Sequence, residues 1–380
     1  MYIPRSIEKE VLEMSNQYPV ITITGPRQSG KTTLAKHLFS YLPYFSFENP
    51  DVRLLAESDP RSFLNQFDIG AVLDEIQYVP QLLSYLQQIV DENQNLKFIL
   101  TGSNQFSLLN KINQSLAGRT AILKLLPFSL EEIPFIKKNT TDDILFTGFY
   151  PAIFSRNLNP VKAYRNYYET YIERDVRQLI QLKDLSLFQK FIRICAGRTA
   201  NLFNASAIAS ETGVSVKTIQ SWISVLEASY IIFRLSPYFE NINKRLIKSP
   251  KIYFYDVGLA SYLLGIENAK QLSRDPLRGA LFENMVIIEM IKKRVNRGLD
   301  HNLFFYRDSH HSEIDVIQKQ GSKLIPYEIK SSQTFHPEFL KGLLRFKKNL
   351  PDRITDMYLI YDGELELKNQ GVKLLNFRNL

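Results

Sequence analysis

Eight consecutive residues near the amino end have the spacing of a phosphate-binding loop. The pattern is G-x-x-x-x-G-K-[ST], in which glycines let backbone N–H groups face phosphates at a helix N-terminus. The run reads Gly25-Pro26-Arg27-Gln28-Ser29-Gly30-Lys31-Thr32 and continues into Thr33. We predict that these nine residues bind ATP, with Lys31 reaching the β- and γ-phosphates and the Thr32 hydroxyl ligating Mg²⁺.

A pair of acids follows an apolar stretch further along the chain. Ala71-Val72-Leu73 predicts a buried strand, and Asp74 and Glu75 stand at its end. Paired acids at a strand end are also common surface features. After a phosphate-binding loop, however, they are typical of a hydrolytic site. We expect Asp74 to hold Mg²⁺ and Glu75 to orient or deprotonate the attacking water.

Two further segments carry candidates for the same chemistry. Ser103 and Asn104 follow the apolar run at 98–101 and are predicted to contact the γ-phosphate and the water, although small polar residues there also suit an ordinary turn. Arg119 ends the segment Leu116-Ala117-Gly118. Its guanidinium is predicted to act on the γ-phosphate of a neighbouring subunit, and a structural surface arginine is the alternative.

At this point the sequence resembles a known family. GPRQSGKTTL, LDEIQ, LTGSN and SLAGR together look like prokaryotic AAA+ ATPases of the AAA_14 type that carry a DUF4143 region. The likeness continues through YIERDV at 171–176 and GALFEN at 279–284 to EIKSS at 328–332, and so covers nearly the whole chain. The resemblance implies an AAA+ fold and use of ATP and Mg²⁺ more firmly than it implies a biological role.

Four charged residues of the carboxyl-terminal third form a second constellation. Glu328 and Lys330 alternate in one predicted strand and so share a face, Asp315 lies on the adjacent hairpin strand, and Glu283 lies on an amphipathic helix. The set resembles the PD-(D/E)XK nuclease core. That resemblance implies Mg²⁺ or Mn²⁺ on Glu283, Asp315 and Glu328, with Lys330 positioning the attacking water. Glu-x-Lys also ends strands by chance, and many members of that superfamily keep the fold without cleavage.

The middle of the chain reads as a helix-turn-helix. Ala209 precedes Gly213 by four residues, and apolar residues recur around them at the spacing of two packed helices. The residues expected to face inward are Ile208, Val214, Ile219 and Trp222. A strand at 230–235 would serve as a wing. The second helix offers only Lys217, Gln220 and Ser221 to a DNA groove. Two functions of this winged helix therefore remain open: contact with DNA backbone phosphates, and packing between subunits.

Predicted strands and helices alternate along the chain up to about Pro127. Beyond that point a helix-rich segment follows, and then strands return. The expected fold is α/β and multidomain: a parallel P-loop AAA+ sheet at 1–150, a helical winged-helix domain at 151–250 and a restriction-endonuclease-like α/β domain at 251–380. A length of 380 residues suits two or three domains.

Composition narrows the class of protein. No run of about 18 apolar residues predicts a membrane span, and the first residues look like neither a signal nor a transit peptide, so we expect a cytoplasmic protein without a membrane partner. Cys195 is the only cysteine, which excludes an intrachain disulfide. The net charge of +8 is concentrated in residues 151–250, which carry 14 Lys/Arg against 7 Asp/Glu and favour a phosphate backbone as partner.

Two functional hypotheses follow. The first is an oligomeric Mg²⁺-dependent ATPase, most simply a hexamer, that binds, remodels or cleaves branched or structured DNA. The alternative is a nucleotide-switched regulator or assembly platform with an inert nuclease-like domain. The four-residue constellation and the basic middle segment favour the first, and the sparsely basic recognition helix favours the second.

Overall fold

The structure is a computed structural model that describes residues 2–103, 112, 114–133, 136–172, 184–239, 249–307 and 312–380, without the side chains of residues 137, 171 and 172. Asn104 therefore lies outside the described residues. No helix in the described ranges is long and apolar enough to cross a membrane.

The described α-helices are distributed along the whole chain. They are α1 (Glu8–Gln17), α2 (Lys31–Leu38), α3 (Pro50–Ser58), α4 (Pro60–Asn65), α5 (Leu82–Glu92), α6 (Thr141–Thr147), α7 (Pro151–Ser155), α8 (Pro160–Tyr167), α9 (Leu185–Gly197), α10 (Ala205–Thr212), α11 (Val216–Ala228), α12 (Val257–Leu263), α13 (Ala269–Leu272), α14 (Arg278–Val295) and α15 (Lys341–Asn349). A π-helical turn, Tyr168–Ile172, continues α8.

The strands fall into three groups. They are β1 (Val20–Thr24), β2 (Tyr44–Ser46), β3 (Gly70–Asp74), β4 (Lys97–Gly102), β5 (Thr120–Lys124), β6 (Ile232–Leu235), β7 (Lys251–Phe254), β8 (Leu303–Arg307), β9 (Glu313–Gln320), β10 (Lys323–Lys330), β11 (Met357–Tyr361), β12 (Lys368–Asn369) and β13 (Val372–Asn376). The sequence also predicts strands at 20–24, 44–48, 71–74, 98–101, 230–235, 251–255, 303–306, 313–318, 324–330 and 357–361 and a helix at 82–90. All of them form, with ends shifted by at most two residues.

The first sheet is parallel throughout and has the order β2-β3-β4-β1-β5. This confirms the predicted P-loop-like α/β architecture, with β5 as a strand that the sequence analysis did not predict. Because all five strands run the same way, their carboxyl ends share one edge of the sheet, and the loops after β1, β3 and β4 meet there. That edge carries the phosphate-binding loop, Asp74 and Ser103.

The middle of the chain is helical, as predicted, and includes the short antiparallel pair β6-β7. Of the apolar residues expected to face inward, Ile208 on α10 and Ile219 and Trp222 on α11 are buried, and Val214, in the turn between the two helices, is half-buried. Gly213 ends α10 at φ +79°, the left-handed conformation that favours glycine at a helix end.

The last sheet is mixed, with the order β12-β13-β11-β10-β9-β8. β10 pairs in parallel with β11 and antiparallel with β9, whose residue Val316 lies opposite Tyr327. Continuing this register by one residue sets Asp315 opposite Glu328, so their side chains lie on the same face of the sheet. α14 and α15 both pack on β10.

One hydrophobic core joins the segment after β5 to the middle helices and the last sheet, from Leu126 to Phe377. A buried ion pair reinforces this connection. Lys292 on α14 donates to Glu289 at 2.6 Å and to the Phe128 carbonyl at 2.6 Å, and Glu289 accepts the Leu130 N–H at 2.8 Å. The segment at 126–133 is therefore held by groups from the carboxyl-terminal third of the chain.

Candidate functional site

The phosphate-binding loop has a backbone with positive φ angles at three of its residues, a conformation that favours glycine. Gly25 has φ +146°, and a Cβ at this position would lie 2.1 Å from the Leu125 carbonyl oxygen, so no larger residue fits. Gly30 has φ +94° and caps α2. Gln28 adopts φ +60° between them, and Pro26 accepts the Ser29 N–H at 3.3 Å. The loop thereby curls over the first turn of α2, where N–H groups and the helix dipole favour anions.

Lys31 and Thr32, the first residues of α2, reach into the same concavity. The Lys31 ammonium donates to the Gly25 carbonyl at 3.1 Å and to the Pro26 carbonyl at 2.8 Å. The Thr32 hydroxyl donates to Asp74 at 2.9 Å. Asp74 also accepts hydrogen bonds from the Tyr44 hydroxyl at 2.8 Å and from Thr101. These carbonyl and hydroxyl groups are electrically neutral.

Glu75 follows β3 in an unusual conformation that aims its carboxylate. Its φ of +57° lies in the left-handed region, which is strained for a glutamate, and its N–H donates to the Thr101 hydroxyl oxygen at 3.2 Å. One carboxylate oxygen, Oε2, accepts from the Gln77 amide and from Ser103 Oγ at 3.2 Å. Ser103 therefore lies beside Glu75, the residue predicted to orient the attacking water. The sequence analysis assigned no role to Gln77.

A cleft of about 530 Å³ connects these groups to the middle helices. Its first wall is the phosphate-binding loop with Thr33 and Glu75, and its second wall comes from α7 and α8 and the residues beside them. The second wall includes Tyr150, Pro151, Arg156, Tyr164, Asn166 and Tyr167. Sequence reasoning missed this wall, because no motif marks it and only the fold brings it to the loop.

The buried side chain of Arg5 links the phosphate-binding loop to the segment after β5. Its guanidinium is 5% exposed and donates to the Ser29 carbonyl at 2.8 Å and the Leu126 carbonyl at 2.7 Å, and it pairs with Glu132 at 3.2 Å. Burial lowers the pKa of Arg5, and Glu132 opposes that shift. Because Ser29 belongs to the phosphate-binding loop and Leu126 follows β5, Arg5 ties the loop to the segment that α14 holds.

These residues fit a nucleoside triphosphate with Mg²⁺. The buried hydroxyl oxygen of Ser29 has no hydrogen-bond partner among the described residues, and the N-terminus of α2 opens into the cleft. Thr32 and Asp74 supply oxygen ligands of the kind that Mg²⁺ prefers. The remaining loop residues, Pro26 and Arg27, complete the turn.

Arg119 lies away from this site within one chain. It precedes β5, whose first residue pairs with Val20 at the start of β1, whereas the loop follows the other end of β1. The two ends are roughly 15 Å apart at 3.3 Å per residue. Arg119 is held by Asp91 through two hydrogen bonds of 2.6 and 2.7 Å at the surface. Its hydrogen bond to Asp91 raises the pKa of Arg119.

The carboxyl-terminal residues Glu283, Asp315, Glu328 and Lys330 do come together. Lys330 donates to Glu328 at 2.6 Å, and Asp315 accepts the Ile329 N–H at 2.8 Å. Burial and the neighbouring Asp315 raise the pKa of Glu283 to about 7 and that of Glu328 to about 8. Such shifts indicate acids that crowd one another in a poorly solvated place.

The arrangement does not fit the predicted Mg²⁺ or Mn²⁺. No group of three or more His, Cys, Asp or Glu side chains in the described ranges is disposed to hold a metal ion. Glu283 instead accepts hydrogen bonds from the Lys251 ammonium at 3.1 Å and from the Tyr253 hydroxyl at 2.6 Å, both on β7. Sequence analysis missed Lys251 and Tyr253, which enter the cluster from the middle of the chain.

Comparison with known proteins identifies three regions. An AAA domain of the AAA_14 type matches residues 17–134, the domain of unknown function DUF8612 matches residues 138–270, and the domain of unknown function DUF4143 matches residues 278–380. Two uncharacterized proteins, from Mycobacterium tuberculosis and Mycobacterium bovis, are each 29% identical over 352 residues, which cover 91% of this chain and 77% of theirs.

Two solved structures align with the chain at low sequence identity. A Walker-type ATPase of Pyrococcus abyssi aligns at 17% identity and a TM-score of 0.47 over 69% of this chain and 96% of its own. AMPPCP-bound DnaA from Aquifex aeolicus aligns at 12% identity and a TM-score of 0.31 over 58% and 86%. With the phosphate-binding loop, Asp74 and Glu75 all inside the AAA match, the chain carries an AAA_14-type P-loop ATPase domain followed by DUF8612 and DUF4143 domains.

Proposed function

We propose that this chain hydrolyses ATP with Mg²⁺ at the edge of the parallel sheet, in sites that a second copy of the chain completes. The observation that carries the proposal is the contact of Thr32 with Asp74 beside Lys31, at the N-terminus of α2 where the phosphate-binding loop opens into the cleft. A lysine beside helix N–H groups suits a phosphate, and a hydroxyl in contact with a carboxylate suits a divalent cation.

Each residue has a distinct task in this proposal. Lys31 leaves the loop carbonyls to bind the β- and γ-phosphate oxygens, and backbone N–H groups of the loop bind the remaining oxygens. Thr32 and Asp74 would hold Mg²⁺, which supplies charge neutralisation on the phosphates. Glu75 accepts the proton of the attacking water through Oε1, because Gln77 and Ser103 already donate to Oε2.

Two substitutions separate binding from turnover. Lys31→Ala should weaken nucleotide binding, because it removes the only lysine of the loop. Glu75→Gln should bind ATP with little change yet hydrolyse it at least about 10²-fold more slowly. Fluorescent-nucleotide titration and phosphate release measure the two properties, and Lys323→Ala in the last sheet serves as control. Unimpaired turnover in Glu75→Gln would eliminate the proposed role of Glu75.

We propose further that subunits assemble into a ring or arc, most simply a hexamer, with Arg119 of one copy at the γ-phosphate of the next. The support is its surface position at the far end of β5, from which it cannot serve its own loop. Within one chain, Asp91 holds the guanidinium through two hydrogen bonds.

DNA is the second candidate partner, through the middle segment taken as a winged helix. The support is an open face of α11 formed by Val216, Lys217, Gln220, Ser221 and Ser224, all exposed. Lys217 would contact a backbone phosphate and not a base. The restriction-endonuclease-like fold proposed for the last domain rests on the order helix, three antiparallel strands, helix and parallel strand from α14 to β11.

The DNA proposal is tested by anisotropy with labelled four-way, forked and linear DNA at several salt concentrations. Lys217→Ala should weaken binding to all of them alike and reduce the salt slope by about 1. Lys323→Ala is again the matched control. If wild type binds none of these DNAs even in low salt, and they leave ATP turnover unchanged, the chain is better described as a nucleotide-switched regulator or assembly platform.

A further inference from the structure

Strand β7 sends two side chains into the carboxyl-terminal acid cluster. Lys251, the first residue of β7, is only 4% exposed and its ammonium lies 3.1 Å from Glu283 and 2.6 Å from Glu313. Tyr253, on the same face of the strand, donates to the same oxygen of Glu283 at 2.6 Å. One oxygen of Glu283 is thus already used twice by groups from the chain itself.

The backbone of β7 is fixed beside α14, so Lys251 is placed firmly. Asn284, the residue after Glu283, accepts the Phe254 N–H at 2.7 Å and donates to the Phe254 carbonyl at 2.7 Å. The Thr199 hydroxyl donates to the same Asn284 oxygen at 2.8 Å. Glu283 and Asn284 therefore both bind β7. These contacts give the end of the GALFEN segment a structural role.

The charges of the cluster nearly balance when Lys251 is included. The acids of the described residues are Glu283, Glu313, Asp315 and Glu328, and the cations are Lys251, Arg307 and Lys330. With every group ionised, four negative and three positive charges leave −1. Without Lys251 the balance is −2, which is the charge that one divalent cation cancels.

We infer that Lys251 is the resident cation of this cluster, so that the cluster joins β7, in the DUF8612 region, to the DUF4143 region and does not bind Mg²⁺ or Mn²⁺. A divalent ion at Glu283 would have to displace a nearly buried ammonium from both of its carboxylates. An ammonium left buried without partners is strongly unfavourable, and so is a divalent cation beside a lysine. The junction is metal-independent for as long as β7 is docked on α14.

Binding of Mn²⁺ to nucleotide-free full-length protein, counted from the free-Mn²⁺ electron paramagnetic resonance signal, tests this inference. The quantity compared is the number of Mn²⁺ ions per chain that are lost when Asp315→Asn is introduced. This difference leaves out any Mn²⁺ bound at the phosphate-binding loop, because that site does not contain Asp315. Wild type should show no such loss. Lys251→Met should gain one Mn²⁺ per chain, and Asp315→Asn in the same chain should abolish it.

Two variants serve as matched controls. Lys251→Arg keeps the positive charge and should gain no Mn²⁺. Lys323→Met removes an exposed lysine that donates to the Asp352 carbonyl on the same sheet, and it should also gain none. Circular dichroism and thermal unfolding establish that each protein is folded before the titrations are compared.

Three results would overturn the inference. One is Mn²⁺ bound by wild type and lost in Asp315→Asn, which needs no Lys251 variant and so stands even if Lys251→Met does not fold. Another is a folded Lys251→Met that gains no Asp315-dependent Mn²⁺. The third is an equal gain in Lys251→Arg. None of these outcomes depends on ATP turnover, so failure here leaves the proposed ATPase role untouched.

Discussion

The phosphate-binding site and the carboxyl-terminal cluster are built from similar parts in opposite electrostatic states. Each combines carboxylates at strand ends with a lysine. At the first, Asp74 accepts hydrogen bonds from hydroxyl groups and Lys31 donates to backbone carbonyls. At the second, Glu283 and Glu328 face the ammonium groups of Lys251 and Lys330.

This difference indicates which site is ready for a ligand. The carbonyl and hydroxyl groups that contact Lys31 and Asp74 are neutral, so exchanging them for a phosphate or a divalent cation costs little. Partners of opposite charge in a poorly solvated place are costly to separate. Residue types alone do not distinguish the two sites, whereas the charge of each partner does.

The largest expected effect comes from the same substitution made at both sites. Asp74→Asn should lower the rate of ATP hydrolysis at least about 10²-fold, because the site loses the carboxylate proposed to hold Mg²⁺. Asp315→Asn should leave the rate within about twofold, because the two sites lie in different sheets. Phosphate release at saturating ATP measures both rates. Equal losses at the two positions would break the comparison.

A smaller effect concerns completion of the first site by a second copy of the chain. Arg119→Ala should keep ATP affinity and lower turnover at least about tenfold, because a fixed guanidinium no longer reaches the developing charge on the γ-phosphate. Mixing it with Lys31→Ala should restore part of the activity, since each protein supplies the half that the other lacks. Asp91→Ala is the control for loss of the surface pair itself. Full activity of Arg119→Ala as a monomer would remove this role.

The smallest effect is a pH dependence of the free energy of unfolding that arises at the second cluster. Burial and Asp315 raise the pKa of Glu328 from 4.5 to about 8, so the folded chain holds more protons than the unfolded chain between these values. The free energy of unfolding should therefore fall as the pH rises from about 5 to 8.

Glu328→Gln should reduce that fall by on the order of 1 kcal/mol in urea titrations, since glutamine does not titrate. Glu338→Gln, at an exposed glutamate paired with Lys341, should leave it unchanged. Lys330, Asp315 and Glu283 act on Glu328 in wild type and in Glu338→Gln alike. A wild-type stability that rises over this pH range, with the same slope in Glu328→Gln, would contradict the assignment.

The phosphate-binding site could be predicted almost entirely from the sequence, because its geometry is local. Gly25 and Gly30 are required by backbone conformation, and Lys31 and Thr32 follow in the same helix. The acids at the end of β3 are placed by the rule that carboxyl ends of parallel strands share an edge. Asn104, which belongs to the same prediction, lies outside the described residues.

The remainder depends on packing between distant segments. The alternation argument brings Glu328 and Lys330 to one face and Asp315 beside them, and the structure has them there. Lys251 could not be foreseen, because it reaches Glu283 only when β7 docks on α14. The cleft wall around Tyr164 is likewise a product of tertiary packing, and β5 was missed because half-buried residues alternate along a strand of only five.

The hydrogen bonds of the segment after β5 show that the regions matched by protein families are not independent folding units. Family boundaries fall at residues 134 and 278, yet the Phe128 carbonyl and the Leu130 N–H, both on the amino-terminal side, find their partners on α14. A fragment ending at residue 133 would leave these groups unpaired and expose apolar residues from Leu126 to Ile133. We therefore expect the amino-terminal third, expressed alone, to aggregate, and the whole chain to unfold in a single cooperative transition.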